Sequence, residues 1–255
     1  MKALPGILSA IVLVALAPSA AAAADWEGFY VGGFAGPSQT QGHATTTTVF
    51  SPVGYFAASS VPAIATAGNQ STDGTGYNLG ILAGYNWQFD ENWVVGLEVD
   101  YGVNDTTSTA SSGNIYPCCT TTQFGLQTNV RTTWLFTARP RVGYVWDNWM
   151  AYVTGGLAVT DEKASFVFTD TFATAHESGI FKDTSTSWTI GGGIERHFDG
   201  ISVRLEDLYA DFGSVGGTST NLTAFTPAIA FPTNVFTHRA SLTENMVRFV
   251  VTFDI

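Results

Sequence analysis

Residues 142–159, VGYVWDNWMAYVTGGLAV, decide the fold of this chain. They form two apolar runs in which large and small residues alternate, separated by the pair Asp147-Asn148. Alternation with period 2 on both sides of a short Asp/Asn turn predicts a β-hairpin. Trp146 and Trp149 flank the turn, and an indole ring is apolar in its body and polar at one edge. Tryptophan at the ends of both strands is therefore typical of strands that leave hydrocarbon for a headgroup layer.

Two other segments repeat this pattern. Residues 81–101 turn at Asp90 and residues 190–209 turn at Asp199. The three turns recur roughly every fifty to sixty residues, as expected of a repeated supersecondary unit. A soluble β-sandwich with three ordinary hairpins is the alternative interpretation. The aromatic residues beside the turns favour a membrane barrel, and those expected at the membrane interface are Trp87, Phe89, Trp93, Trp146, Trp149 and Phe198.

Residues 1–24 predict a cleaved secretory signal peptide. Lys2 provides the positive start, residues 7–16 form an apolar stretch, and residues 20–24 supply an Ala-x-Ala cleavage site before Asp25. The apolar stretch is too short to span a membrane as a helix, although an uncleaved anchor is the alternative. We therefore expect export through the Sec pathway and a mature barrel domain of residues 25–255.

The composition of the chain favours a membrane β-barrel. Charged residues make up 12% of the sequence, against about 25% in ordinary soluble domains. The formal net charge of −11 offers no basic footprint for nucleic acid. After residue 24, no run approaches the ~18–20 consecutive apolar residues of a transmembrane helix. A closed barrel is the structure that pairs every backbone group in lipid without helices.

Eight alternating segments predict an all-β, eight-stranded antiparallel transmembrane β-barrel. We expect three short periplasmic turns on the side of both termini, and four long external loops. A hairpin within the first loop would raise the count to ten strands. The predicted strands are residues 26–36, 77–89, 93–101, 131–146, 149–161, 184–198, 201–212 and 244–255, and the predicted loops are residues 40–75, 103–128, 169–182 and 213–243.

The chain also resembles a known family. The segments DWEGFYVGGFAG (25–36), WTIGGGIERHF (188–198) and RLEDLYADFG (204–213), together with residues 142–159, resemble the small outer-membrane porin family. This is the outer-membrane immunogenic protein group of alphaproteobacteria, whose fold is the OmpA-type barrel. The sequence departs from the family at its end, where Ile255 stands in place of an aromatic residue, and at Asp207, where the family tends to carry a large apolar or tyrosine side chain.

The resemblance implies a location and partners. We expect the protein in the outer membrane of a Gram-negative cell, in contact with outer-membrane lipid and lipopolysaccharide. The barrel-assembly machinery would recognise its C-terminal strand. No nucleic-acid partner is expected, and the sequence leaves the oligomeric state open.

Charged residues on the predicted inner faces are the candidate site. The interior of an eight-stranded barrel is just wide enough to be filled by side chains. Opposite charges there are expected to pair, because a lone buried charge is costly. The sequence therefore predicts a lumen charge network, with a narrow charged pore as the alternative. Its members are Glu98, Asp100, Arg139, Arg141, Glu195, Arg204, Glu206 and Arg248.

No residue pattern predicts catalysis or a cofactor. The four histidines, His43, His176, His197 and His238, lie far apart without metal-binding spacing, so we expect no enzyme, no metal and no cofactor. Cys118 and Cys119 are adjacent in a predicted external loop. In an oxidising compartment they can form a disulfide with each other, which is strained, or with another chain.

The predicted function is architectural. We expect an integral outer-membrane β-barrel with a structural role in the envelope and weak porin-like passage of small solutes. The alternative is a surface adhesin or ligand-binding barrel that acts through its Thr/Ser-rich external loops.

Overall fold

The computed structural model describes residues 26–119 and 121–255. The predicted signal peptide, residues 1–24, lies outside these residues. The elements are β1 (Gly28–Thr48), α1 (Ser60–Ala67), β2 (Gln70–Phe89), β3 (Trp93–Ile115), β4 (Gln123–Trp146), β5 (Trp149–Asp170), β6 (His176–Phe198), β7 (Ile201–Ser219), β8 (Thr223–Ala224), β9 (Ile229–Ala230) and β10 (Phe236–Asp254). In the described part of the chain, no helix is long and apolar enough to cross a membrane.

The eight long strands form a closed antiparallel ring. Each strand from β1 to β7 pairs with its sequence neighbours, and β10 pairs with both β7 and β1. At the seam, Val31 lies opposite Phe253 and Gly33 opposite Val251. The predicted ring of eight antiparallel strands is confirmed. The short strands β8 and β9 attach to the far end of β6 and lie outside the ring.

The three predicted short turns are present. Asp90, Asp147 and Asp199 have φ angles of 49°, 51° and 46°. This left-handed region suits the two-residue turns at Asp147 and Asp199 and the three-residue turn at Asp90, and Asp tolerates it more readily than most residues do. All three turns lie at the end of the barrel where β1 begins and β10 ends, and we call this the turn end.

The strands are much longer than the sequence predicts. Much of the predicted loops 40–75, 103–128, 169–182 and 213–243 is strand, and the connections at this distal end are residues 49–69, 116–122, 171–175 and 220–235. The prediction of four long loops is therefore wrong in extent. Threonine is β-branched and forms strands well. Because threonine lies on both faces there, as in buried Thr46, half-buried Thr45 and exposed Thr47, hydropathy does not reveal the alternation.

An apolar band surrounds the half of the barrel next to the turns. Its side chains point outward and are exposed, for example Ile81 at 70% and Val153 at 67%. Aromatic residues border it at the turn end and again midway along the strands, where the border consists of Tyr77, Tyr101, Trp134, Trp188 and Tyr209. Beyond that border the outward residues are mostly polar. Such a band between two aromatic girdles is characteristic of transmembrane barrels.

The interior is filled in layers. An apolar cluster that includes Trp26 and Met150 lies at the turn end. A charged layer follows, and then a second apolar cluster that includes Phe166, Phe212 and Met246. At the distal end, an aromatic cluster packs against α1 through Ile64. Side chains therefore occupy the lumen from one end to the other, and the charged layer lies within the height of the apolar band.

Candidate functional site

The structure brings the eight predicted lumen charges into one layer. Each of these eight residues is at most 2% exposed. Strand pairing sets part of the arrangement, because Glu98 lies opposite Arg139, Glu195 opposite Arg204, and Glu206 opposite Arg248. The layer contains four arginines and four carboxylates, so its formal charges cancel.

Arg139 is at the centre of the first group. Its Nη2 atom donates to Glu98 Oε1 at 2.8 Å and to Asp100 Oδ2 at 2.9 Å. Its Nη1 atom lies 3.3 Å from Glu206 Oε1. Arg248 reinforces the group, since its Nη1 atom lies 3.2 Å from Asp100 Oδ2 and 3.9 Å from Glu206 Oε1. Two guanidinium groups thus hold three carboxylates together.

The second group contains Arg141, Arg204 and Glu195. Arg141 Nη1 donates to Glu195 Oε2 at 2.9 Å, and Arg204 Nη1 lies 4.0 Å from the same oxygen. Arg204 Nη2 also donates to Glu98 Oε2. Glu98 therefore contacts arginines of both groups and joins them into one network that extends across the lumen.

Aromatic side chains complete the layer, and the sequence reasoning did not assign them to it. Tyr30 donates from its hydroxyl to Glu98 Oε2 at 2.9 Å, and Tyr152 donates to Glu206 Oε2 at 2.7 Å. The Arg248 guanidinium lies 4.2 Å from the centre of the Phe34 ring. The period-2 alternation of β1 and β5, which turns Tyr30, Phe34 and Tyr152 inward, is the signal that could have identified them.

The charged layer is densely packed across the lumen. Each charged group is out of water and has partners of the opposite sign, which offsets the desolvation that would otherwise expel it. The planar guanidinium groups and the tyrosine rings leave little room in a barrel of eight strands. Among the described residues, the layer holds no cysteine or histidine, and each of its carboxylates contacts an arginine.

A second polar cluster lies in the distal half and contains a serine, a histidine and a glutamate. His238 Nε2 is 3.2 Å from Ser219 Oγ and 3.3 Å from Glu177 Oε1, and His238 Nδ1 is 3.0 Å from Thr46 Oγ1. Sequence reasoning missed this cluster and placed His238 in a loop. A catalytic triad needs the carboxylate on the ring nitrogen that does not face the serine. Here both groups face the same nitrogen, and His238 and Glu177 are fully enclosed, so the geometry indicates a structural role.

The remaining predicted residues lie as follows. The six turn-end aromatics all point outward, and Trp87, Phe89 and Trp93 are 44%, 53% and 49% exposed.

Cys118 is exposed and Cys119 is half-buried in the connection between β3 and β4, and both are free thiols in the structure. Their pairing stays a prediction. Among the described residues, no group of three or more His, Cys, Asp or Glu side chains is arranged to hold a metal ion.

The ring of eight strands, its apolar band and its filled lumen define a β-barrel of the outer-membrane class. The chain belongs to the family described as "outer membrane protein beta-barrel domain", whose model matches residues 8–228. It is thus an outer-membrane protein.

Two curated relatives have related names. The 31 kDa outer-membrane immunogenic protein of Brucella melitensis is 32% identical over 152 residues, which cover 58% of this chain and 58% of that protein. The 22 kDa outer membrane protein of Rhizobium leguminosarum bv. viciae is 29% identical over 196 residues, covering 75% of this chain and 67% of that protein. The match to the Brucella protein spans less than two thirds of that protein's length.

Solved outer-membrane barrels are similar to this chain at low identity. OprG from Pseudomonas aeruginosa has a TM-score of 0.44 and 10% identity, covering 90% of this chain and 97% of its own. The protease OmpT from Escherichia coli has a TM-score of 0.43 and 7% identity, covering 89% and 96%. Neisserial surface protein A has a TM-score of 0.33 and 11% identity, covering 89% and 97%.

Proposed function

We propose that this protein is an integral outer-membrane barrel with a closed lumen and a structural role in the cell envelope. The apolar band would span the bilayer, with the turn end in the periplasm and the distal end outside the cell. The position of the band supports this orientation, because it begins beside the short turns and ends midway along the strands. A band of about 25 Å between aromatic girdles is the height that a bilayer requires.

The observation that carries the proposal is the neutral charged layer. Four arginines and four carboxylates, none more than 2% exposed, cross the lumen within the band. The apolar cluster around Phe212 and Met246 lies directly above it. A solute would have to displace both layers, so the packing favours a structural barrel over the weak porin-like passage that the sequence also suggested.

Deletion of the gene separates these two functions. We expect the deletion strain to become more sensitive to detergent and large antibiotics, because the envelope loses a structural component. We also expect its rate of uptake of small sugars to stay at the wild-type value. Slower uptake of a small solute with an intact envelope would contradict the proposal. Complementation with the wild-type gene is the control.

A second function is favoured by the distal tip. There Tyr55 contacts Phe172, Phe225 and Phe231, with ring centres 6.3, 6.2 and 5.4 Å apart. These residues come from three different connections, yet Phe172 and Phe225 remain 57% and 44% exposed. Exposed aromatic side chains grouped on a rigid support are typical of binding surfaces. We propose surface recognition through this tip as the second candidate.

The tip can be tested without disturbing the barrel. The double variant Phe172→Ser/Phe225→Ser should remain heat-modifiable on gels, since both side chains lie outside the ring of strands. If the tip binds, the variant should lose adherence of the bacteria to host cells or to matrix-coated surfaces. Unchanged adherence would remove this candidate. An exposed threonine elsewhere on the distal end, Thr47→Ser, is the control.

A further inference from the structure

Three cations form a row on the outer wall of the barrel. Arg131 on β4 lies directly opposite Lys163 on β5, and Lys163 lies directly opposite Lys182 on β6. All three side chains are exposed and point outward. Like charges placed directly opposite each other destabilise a sheet. A row of three adjacent cations is unexpected in a chain with a net charge of −11.

The row is not neutralised from within the protein. Arg131 Nη2 pairs with Asp105 Oδ1 at 2.9 Å. Across residues 26–119 and 121–255, no ion pair reaches Lys163 or Lys182. Asp161 shares the outward face of β5, but its carboxylate accepts hydrogen bonds from Thr133 and from the Trp134 backbone. The two lysines therefore carry positive charge that is open to a partner.

The row lies at the height of an outer-leaflet headgroup layer. On β5 the apolar band ends at the outward residue Val159, and Lys163 follows four residues later. A strand rises ~3.3 Å per residue and is tilted by ~40°, so four residues raise Lys163 about 10 Å above the apolar band. A lipid held in the bilayer beside β4, β5 and β6 would present its charged groups at this height.

Other cations of the described chain are placed differently. Arg139, Arg141, Arg204 and Arg248 are buried in the lumen, and Arg196 lies near the turn end, 5.1 Å from the Trp149 ring centre. Arg239 is exposed on the distal half of β10, but its cross-strand neighbours are Thr45 and Gly216. Arg239 is therefore an exposed cation like those in the row, but it has no cationic neighbour on the adjacent strands.

We propose that Arg131, Lys163 and Lys182 bind the anionic groups, phosphates or sugar carboxylates, of lipopolysaccharide in the outer leaflet. The inference rests on the orientation given under Proposed function, with the distal end outside the cell. The glycolipid presents several negative charges just above the acyl chains, and three cations in a row can engage more than one of them. The bound anions would remove the repulsion between the facing cations.

The test compares two matched variants of the mature protein in neutral-lipid nanodiscs. Binding of purified rough-type lipopolysaccharide is measured by native mass spectrometry and by the shift in unfolding temperature, at low and at high salt. Lys163→Gln/Lys182→Gln should weaken binding roughly tenfold to thirtyfold and reduce its salt dependence, because each cation near an anionic surface contributes about fivefold. Arg239→Gln should bind as the wild type does.

Two results would overturn the proposal. One is a double variant whose affinity stays within twofold of the wild type, and the other is an equal loss in Arg239→Gln, which would indicate attraction to total charge. A separate control distinguishes a structural role for the lysines. Without glycolipid, the double variant should unfold at the same or a higher temperature than the wild type, since repulsion is relieved. Heat-modifiability and impermeability test the closed barrel of the proposed function. They do not depend on the row of cations, so the two proposals can fail separately.

Discussion

Removal of Arg139 should destabilise the barrel strongly. Its side chain is fully buried and contacts three carboxylates, those of Glu98, Asp100 and Glu206. Arg139→Ala leaves these carboxylates with Arg204 and Arg248 as their nearest cations and gives the layer a net negative charge. Breaking a buried ion pair by removing one partner costs about 3–5 kcal/mol. We expect a loss of that size in the free energy of unfolding, measured by urea titration in lipid vesicles.

Two further variants identify the origin of that loss. Arg239→Ala removes an exposed cation and should change the free energy of unfolding by less than about 0.5 kcal/mol. In Arg139→Gln/Glu206→Gln the layer is neutral again, so the double variant should be more stable than the sum of the two single changes predicts. A loss below about 1 kcal/mol in Arg139→Ala, or strict additivity in the double variant, would refute the idea of a coupled network.

Three other predictions concern the wall and the distal half. Asp207 is an exposed carboxylate on the apolar band, so Asp207→Leu should raise the stability in lipid by about 1 kcal/mol, measured by the same titration. Burial raises the pKa of Glu162 from 4.5 to about 7, so the folded state keeps a proton that the unfolded state has lost. The free energy of unfolding should therefore fall as pH rises from about 5 to about 7, and Glu162→Gln should flatten that slope. Val31→Cys/Phe253→Cys should cross-link the seam on oxidation and prevent unfolding on heating, whereas no cross-link would place these strands in another register.

The turns and the inward charges could be predicted because their signals are strong. Large and small residues alternate around Asp147, and apolar and polar residues alternate around Asp199, which reveals both the turn and the two faces of each strand. The same contrast places Glu98 and Arg139 inward. The outward side chains of the band are mostly apolar, so sequence and structure agree wherever the band is present.

The distal half could not be predicted in the same way. Residues 40–48 carry threonine on both faces, and burial there depends on the closure of the ring rather than on polarity. The sequence also could not predict which side chains meet across the lumen. Glu98 on β3 meets Arg204 on β7 across the barrel, and Glu177 meets His238, because the closed ring places their strands face to face. These residues lie far apart in the sequence, and no sequence pattern indicates that they are in contact.

The single-channel conductance of the folded wild-type protein in a planar bilayer tests the central claim most directly. The mature chain is inserted at low protein density in 1 M KCl, with a general porin as the positive control. The charged layer around Arg139 and the apolar layer above it should hold the current at the baseline of the empty bilayer. Steady conductance steps that scale with the amount of inserted protein would show an open lumen and contradict the account.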